Sequence, residues 1–341
     1  MSDNKIKNME DFAAVSGLSR PTVSKYFNDP NSVRSSTRDR IEAALQKYDF
    51  HPNIYAMNQN RKLTNNVGIV VPYLSDPVFA ELARKVEENC ILAGFRPTLF
   101  SAHGQPRLEV EILDGLRLLK PSGVLIAPLG RTPNRAVIEK FCADVPTVLF
   151  DSFLPDTGLG FAGSNNPQFA HLIVDYLCRT GEYPSFLEMR TPANPNANRR
   201  RQAYIAAMEN LGFEPSIVKI DGEGWAFEEI GRSGGGKALL EKQFATNTIL
   251  CSNDRLAIGF LTACYENQIR VGRGPDCDIR VAGMDDHPFS RFTCPPLTTV
   301  AQDFESVAKE AVSILVASIE GREISKPSTF FDGRLVMRES A

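Results

Sequence analysis

Residues 8–28 constrain the fold of this chain more than any other segment, because they combine helix and turn signals in a fixed order. Asn8 is a favourable helix cap, with Asp11 three residues later. Gly17 is suited to a left-handed turn, and Ser19 can cap a second helix. The segment therefore predicts two short helices around a tight turn, which is the outline of a helix-turn-helix. The same spacing is equally typical of an ordinary capped helix pair.

The apolar spacing of this segment separates an inner face from an outer face. We expect five side chains to pack between the helices: Phe12, Ala13, Leu18, Val23 and Phe27. The outer face of the second helix then carries residues that could reach base edges and phosphates in a major groove: Arg20, Pro21, Thr22, Ser24, Lys25 and Asn28.

Residues 33–53 predict a third helix, capped by Ser35 or Ser36, with one apolar face formed by Ile41, Ala44, Leu45 and Tyr48. Three stretches now carry a resemblance: Ser-Arg-Pro-Thr-Val-Ser-Lys-Tyr-Phe-Asn (19–28), Val-Arg-Ser-Ser-Thr-Arg (33–38) and Tyr-Asp-Phe-His-Pro-Asn (48–53). Together they resemble the DNA-binding head of the LacI-GalR family of bacterial transcription regulators. The resemblance implies that Arg20, Pro21 and Lys25 read bases, and that Ser19, Thr22 and Asn28 contact phosphate.

The resemblance divides the chain into a head (1–50), a hinge (51–63) and a body (64–341). In the family a leucine of the hinge helix wedges into the minor groove, and Gln59 takes that place here. Glutamine is a poor apolar wedge, so we expect a weaker central kink in the DNA, or the participation of Met57 or Tyr55. The alternative is that the hinge is only a flexible tether.

Composition sets broad limits. The 341 residues, 43% of them hydrophobic, suffice for two or three globular domains. Residues 1–63 contain ten Lys and Arg against seven Asp and Glu, and the rest contains 28 against 34, a difference that by itself decides little. Seven scattered cysteines predict small core residues in a reducing compartment. Since no segment suits export or a bilayer, we expect a cytoplasmic protein, and the resemblance implies a bacterial one.

The body alternates short apolar runs with amphipathic helices, which is typical of doubly wound α/β lobes. The predicted strands are Val67–Val71, Gly123–Ile126, Thr147–Phe150, Thr248–Cys251 and Ile279–Ala282, and a last strand is expected within Phe330–Met337. The body also resembles the periplasmic sugar-binding-protein fold of the same family. That resemblance implies two lobes, about 64–166 plus 301–327 and about 167–300 plus 328–341.

Polar residues follow these strands at the ends where ligands of α/β sheets collect: Asp76, Asp151, Asn253, Asp285 and Gln302. The resemblance places eight residues at family effector positions: Asp76, Phe79, Asp151, Arg200, Trp225, Asn253, Asp285 and Gln302. Carboxylates, amides and a guanidinium suit the hydroxyls of a polyol, and an aromatic ring covers the apolar face of a sugar. Because Arg200 is the one clear basic residue of this set, an uncharged sugar or polyol is expected. Asp254 is interpreted as a helix cap rather than a ligand.

Two glycine patterns point weakly to nucleotides. Gly231–Ala238 spells most of a P-loop, but Ala238 stands where Ser or Thr must bind magnesium. Gly158–Gly163 satisfies a dinucleotide fingerprint but lies several residues beyond its strand. The four histidines are dispersed, so we expect no metal site, no cofactor and no catalytic residue.

The sequence thus predicts a ligand-responsive transcription regulator, most simply a repressor. It binds double-stranded operator DNA as a homodimer and is switched by a sugar or polyol. The alternatives are a sugar receptor without gene control and a sugar-converting enzyme.

Overall fold

The computed structural model describes residues 6, 8–50, 64–130, 134–325 and 327–341. The chain divides into two compact units, a head (Met1–Thr64) and a body (Asn65–Ala341). The body begins within two residues of the predicted hinge end. Among the described residues, no helix combines the length and the apolar character needed to cross a membrane.

The head consists of α1 (Met9–Ser16), α2 (Arg20–Asn28) and α3 (Ser35–Tyr48), with a 3-10 turn at Pro30–Ser32. The predicted residues begin and end the first two helices. The Asn8 side chain accepts hydrogen bonds from the amides of Glu10 and Asp11, and Gly17 ends α1 in the left-handed conformation with φ 66°. The predicted third helix is present, but the predicted cap is wrong: Arg34 occupies the cap position, Ser35 and Ser36 lie inside the helix, and no side chain caps it.

The head core differs in part from the predicted one. Phe12 and Val23 are fully buried as expected, but Tyr26 and Phe50 also belong to the core. Phe50 stacks on Phe12 with ring centroids 4.7 Å apart. Tyr48, expected on the inner face of α3, is 37% exposed. Three short helices bury little apolar surface by themselves. Phe50, which follows α3, adds apolar surface to the core of the head.

The first part of the body is an alternation of strands and helices: β1 (Asn66–Val71), α4 (Pro77–Leu92), β2 (Arg96–Ser101), α5 (Pro106–Leu119), β3 (Gly123–Ile126), α6 (Arg135–Asp144), β4 (Thr147–Phe150) and β5 (Phe161–Ser164). These strands pair in parallel in the order β5-β4-β3-β1-β2. Every residue of β3, β4 and β5 is buried because helices cover both sheet faces.

The second part repeats the pattern in another sheet: α7 (Asn166–Thr180), β6 (Ser185–Met189), α8 (Asn196–Asn210), β7 (Ser216–Ile220), α9 (Phe227–Ile230), a π-helical turn (Gly231–Gly235), α10 (Gly236–Leu240), β8 (Thr248–Cys251), α11 (Asp254–Glu266), β9 (Arg280–Ala282) and β10 (Thr299–Ala301). The parallel strand order is β7-β6-β8-β9. The predicted doubly wound α/β fold is confirmed.

The chain then returns to the first sheet and crosses back: α12 (Phe304–Ile319), β11 (Ser328–Phe331) and β12 (Arg334–Val336). Because β11 pairs in parallel with β5, residues 328–331 belong to the first lobe, and the expected lobe boundary after 327 is wrong by four residues. The strand expected within Phe330–Met337 is two strands, of which β12 pairs with β10. We call the lobe of the first sheet, with α12 and β11, lobe 1, and the rest of the body lobe 2.

The glycine-rich segment that resembles a P-loop is helical. Gly231 and Gly259 lie where α9 and its π-turn meet α11, and a Cβ on either would clash with a backbone carbonyl oxygen of the other helix. The glycines therefore serve close helix packing. In the other pattern β5 begins at Phe161, inside the proposed phosphate loop.

Candidate functional site

The second helix of the head presents its predicted residues to solvent. Ser19, Arg20, Pro21 and Lys25 are exposed, and Thr22 is half-buried. Ser19 also caps α2, since its hydroxyl accepts the Thr22 amide at 3.4 Å and lies 2.8 Å from the Thr22 hydroxyl. Ser19 and Thr22, which the resemblance implies as phosphate contacts, thus also fix the start of α2.

A side chain of α3 stabilises the turn between α1 and α2. The Arg40 guanidinium donates to the carbonyl oxygens of Ser16 and Gly17, at 3.3 and 3.2 Å. Asn28 is the last residue of α2. Tyr55 and Gln59 lie outside the described residues, so their roles in a minor groove stay predictions.

In the body, all eight predicted effector residues line one cleft between the lobes: Asp76, Phe79, Asp151, Arg200, Trp225, Asn253, Asp285 and Gln302. The cleft holds about 620 Å³ of space, its opening to solvent included. The structure brings the residues together because the carboxyl ends of both parallel sheets face this gap.

The polar centre of the cleft is the ion pair of Arg200 and Asp285. Nη2 of Arg200 donates to Oδ1 of Asp285 at 2.5 Å, and neither side chain is more than 9% exposed. The other Arg200 donors reach the Asn166 side chain and the Ser252 and Met284 carbonyl oxygens. Four of the five guanidinium N–H groups thus have protein acceptors, which fixes the orientation of the side chain.

Asp285 has an unusual backbone conformation and hydrogen-bonded side-chain partners in addition to Arg200. Its φ of 149° is unusual for a residue with a side chain. The amide of Gln302 donates to Oδ1 of Asp285 at 2.7 Å, while its oxygen accepts the Ser164 hydroxyl. Ser164 ends β5 of lobe 1, so the Gln302 side chain spans from lobe 1 to lobe 2.

Asp151 lies across the cleft, also in a left-handed conformation, with φ 59°. Its Oδ2 accepts a bond from the Asn196 amide at 3.1 Å and from the Ser152 hydroxyl at 3.0 Å. Burial raises the pKa of this carboxyl to about 6. Asp151 can therefore present either a carboxylate or a carboxylic acid to a ligand near neutral pH.

An aromatic wall closes one side. Trp225 stacks on Tyr73, with centroids 5.3 Å apart and planes at 21°, and meets Phe79 and Phe227 edge-on. Gly104 makes room for it, because a Cβ there would lie 2.7 Å from the indole. A flat apolar surface beside hydrogen-bonding groups is the combination that a sugar ring requires.

One interpretation of this region is wrong. Asn253, not Asp254, caps α11, since its side-chain oxygen accepts the Leu256 amide at 2.8 Å. Asp254 is fully buried and accepts bonds from the His287 amide and the Ser290 and Thr299 hydroxyls. It therefore anchors the segment after Asp285 rather than lining the cleft.

Sequence reasoning also missed Arg255, a second basic residue in the cleft wall. It is 9% exposed and forms ion pairs with Asp76 and Glu228. Its position in the first turn of a helix that starts at the cleft could have revealed it. Asn196, on the first turn of α8, was missed as well.

The chain resembles known proteins in both parts. Residues 8–53 match the family described as bacterial regulatory proteins, lacI family, and residues 176–341 match the periplasmic binding protein-like domain. The HTH-type transcriptional repressor CytR of Escherichia coli K12 is 26% identical over 336 residues, which are 97% of this chain and 95% of that protein. The ribose operon repressor of the same strain is 26% identical over 91% of this chain and 92% of its own length.

The fold matches solved structures over nearly its whole length. A lac repressor dimer bound to operator and the anti-inducer ONPF has a TM-score of 0.83 at 24% identity, covering 98% of this chain and 99% of that chain. The regulator CelR in complex with cellobiose has a TM-score of 0.71 at 22% identity, over 98% and 100%. These structures show the fold, while the two family matches and the repressor relatives show the kind of protein: a lacI-type DNA-binding head joined to a periplasmic-binding-protein-like body, that is, a LacI-family regulator.

Proposed function

We propose that this protein is a ligand-responsive transcription repressor that binds a pseudo-palindromic operator as a homodimer in the bacterial cytoplasm. The observation that carries the proposal is the presence, in one chain, of an exposed capped helix with Arg20 and Lys25 and a polar cleft with an aromatic wall. Its named relatives are repressors, and a structure of similar fold is a dimer on its operator. A two-fold dimer presents two heads to two half-sites.

The proposed effector is an uncharged sugar or polyol. Arg255 corrects the expectation of a single basic residue, but both guanidiniums of the cleft already have carboxylate partners. The wall contains three carboxylates, Asp76, Asp151 and Asp285, against these two cations. An anionic ligand would therefore meet a net negative wall when Asp151 is ionised and no excess of positive charge when it is protonated, whereas hydroxyls can bond to carboxylates and amides alike.

In this proposal Arg20, Pro21 and Lys25 face the bases, Ser19, Thr22 and Asn28 contact phosphate, and Tyr55 and Gln59 lie at the operator centre. Pro21 has no side-chain donor, so Arg20 and Lys25 carry most of the base readout. The eight cleft residues hold the effector, and binding shifts the balance between two lobe arrangements of different DNA affinity. Catalysis is not part of this proposal, and recovery of altered sugar after incubation with the protein would argue for the enzyme alternative.

The DNA-binding part is tested with Lys25→Ala. An operator is first selected from random duplexes by the protein itself. We expect the substitution to weaken binding to that operator by about 1–3 kcal/mol and barely change binding to unrelated DNA, because a base contact is lost. Lys47→Ala removes the same charge from α3 of the head and is the matched control. Equal losses on both DNAs with Lys25→Ala would show that Lys25 touches only phosphate.

The effector is tested with a thermal-shift screen of sugars, polyols and sugar phosphates. A ligand at 100 times its Kd stabilises the protein by about 2.7 kcal/mol. We expect the shift from neutral compounds and its loss in Asp151→Asn. Stabilisation by sugar phosphates alone would overturn the uncharged class while leaving the DNA-binding proposal intact.

A further inference from the structure

Arg255 joins the two lobes through one guanidinium. Its Nη1 lies 3.1 Å from Oδ2 of Asp76, which caps α4 in lobe 1. Its Nε and Nη2 each donate at 2.6 Å to the two oxygens of Glu228, on α9 in lobe 2. Among the ion pairs between described residues, only the one with Asp76 bridges the cleft.

The geometry of this bridge is fixed on both sides. Oδ1 of Asp76 accepts the Val78 amide at 2.9 Å, so the carboxylate cannot turn without losing the cap. On the other side, Arg255 is held by two bonds to Glu228 and lies 5.0 Å from the ring centre of Phe227. The close glycine contact of α9 with α11 holds Glu228 within reach. Arg255 and Asp76 are 9% and 5% exposed, so water screens their attraction weakly.

The segment that contains Glu228 makes a second contact between the lobes, through Trp225. Trp225, three residues before Glu228, lies against Tyr73 and Phe79 of lobe 1. It contributes to the packing of the cores of both lobes. It is also the single tryptophan of the chain. Separation of the lobes would therefore break the ion pair with Asp76 and expose the indole together.

We propose that Arg255 is a positioning residue that holds the lobes together before a ligand arrives, through its pair with Asp76. The proposal rests on the proposed function and deepens it, because it names a charged contact that helps to set the lobe arrangement around the effector, beside the hydrogen bonds of Asn196 to Asp151. A ligand in this cleft meets Arg255 with three of its five N–H groups already bonded to carboxylates, and ligand binding adds to a closure that the protein itself favours. The equilibrium between lobe arrangements is then set by this pair as well as by the effector.

The test uses the fluorescence of Trp225 in the full chain, with neither DNA nor ligand present. Arg255→Gln and Asp76→Asn each remove the charge pair, and Asn at position 76 retains a good helix cap. Arg232→Gln is the matched control, since Arg232 pairs with Glu229 and Glu266 inside lobe 2. We expect both cleft variants to shift the emission to longer wavelength and to raise quenching by acrylamide, with the double variant no further changed. The control should match the original protein.

Two results would overturn the proposal: original emission and quenching in a folded Arg255→Gln protein, or changes in the two single variants that add in the double. If Arg255→Gln does not fold, Asp76→Asn alone decides, because unchanged quenching there excludes a closing role for the pair. Since the assay contains no DNA or effector, a negative result leaves the proposed function standing. Failure of the operator or effector experiments likewise leaves this measurement valid.

Discussion

Replacement of Asp285 by Asn isolates the charge of the buried pair at the centre of the cleft. Asparagine has nearly the same shape and tolerates unusual backbone conformations better than most residues. Its side-chain oxygen can still accept from Arg200 and from Gln302, as the carboxylate does at 2.5 and 2.7 Å. What is lost is the negative charge that compensates a guanidinium whose side chain is 7% exposed.

The expected cost follows from that burial. Removing one partner of a buried pair costs about 3–5 kcal/mol, because the remaining ion stays out of water. Here Arg200 keeps three further acceptors, so the lower end, about 3 kcal/mol, applies. In a unit as large as Asn65–Ala341, whose unfolding entropy is about 2.1 cal/mol/K per residue, that corresponds to a fall in melting temperature of roughly 5 °C.

Thermal unfolding followed by circular dichroism measures this directly, with Asp286→Asn as control. Asp286 is the next residue and also has positive φ, but its pair with Arg338 at 2.6 Å is partly exposed. Loss of this pair should cost less than loss of the Arg200–Asp285 pair, because water reaches both of its side chains. Equal shifts for the two variants would refute the reasoning that burial, rather than the ion pair as such, sets the cost.

Two further predictions concern the body. Asp151, whose carboxyl has its pKa raised by burial from 3.8 to about 6, stabilises the fold most when protonated, so its contribution is lost as the pH rises through that window. The stability difference between the original protein and Asp151→Asn, from denaturant titrations at several pH values, should fall over the same range, and parallel pH profiles would contradict this. Gly259→Ala places a methyl against the Glu228 carbonyl and should cost at least about 1–3 kcal/mol, whereas Gly115→Ala, in open space on α5, should stabilise by about 0.4–1 kcal/mol. Equal unfolding midpoints for the two glycine variants would be inconsistent with the close helix contact.

Much of the fold is readable locally. The strands β3, β4 and β8 have the predicted bounds, since short runs buried on both faces are rich in apolar and β-branched residues. The cap of α3 and the division of the last strand into two were not predicted. Caps and edge strands depend on neighbours that are distant in sequence. Five of the eight predicted effector residues follow strands, so their position in one cleft could be predicted from the sequence, whereas Phe79, Arg200 and Trp225 were expected there from the resemblance alone.

The partners of those residues could not be read in the same way. Asp76 and Arg255 are 179 positions apart, and nothing in the local pattern of either indicates the other. Arg199, Arg200 and Arg201 are consecutive, yet only the second reaches Asp285. The periodicity of a helix limits how many of the three can point inward but does not say which one meets a partner.

The sequence by itself determined the head, the capped start of its second helix and the two-lobed α/β body, because caps, turns and apolar periodicity act between residues near in the chain. The tertiary structure decided which groups are paired and which are left for a ligand. The ion pairs Arg200–Asp285 and Arg255–Asp76 exist only where sheets from distant segments converge, and the burial there gives them their strength. For the same reason the charge of the cleft, and with it the expected class of effector, depends on the folded protein.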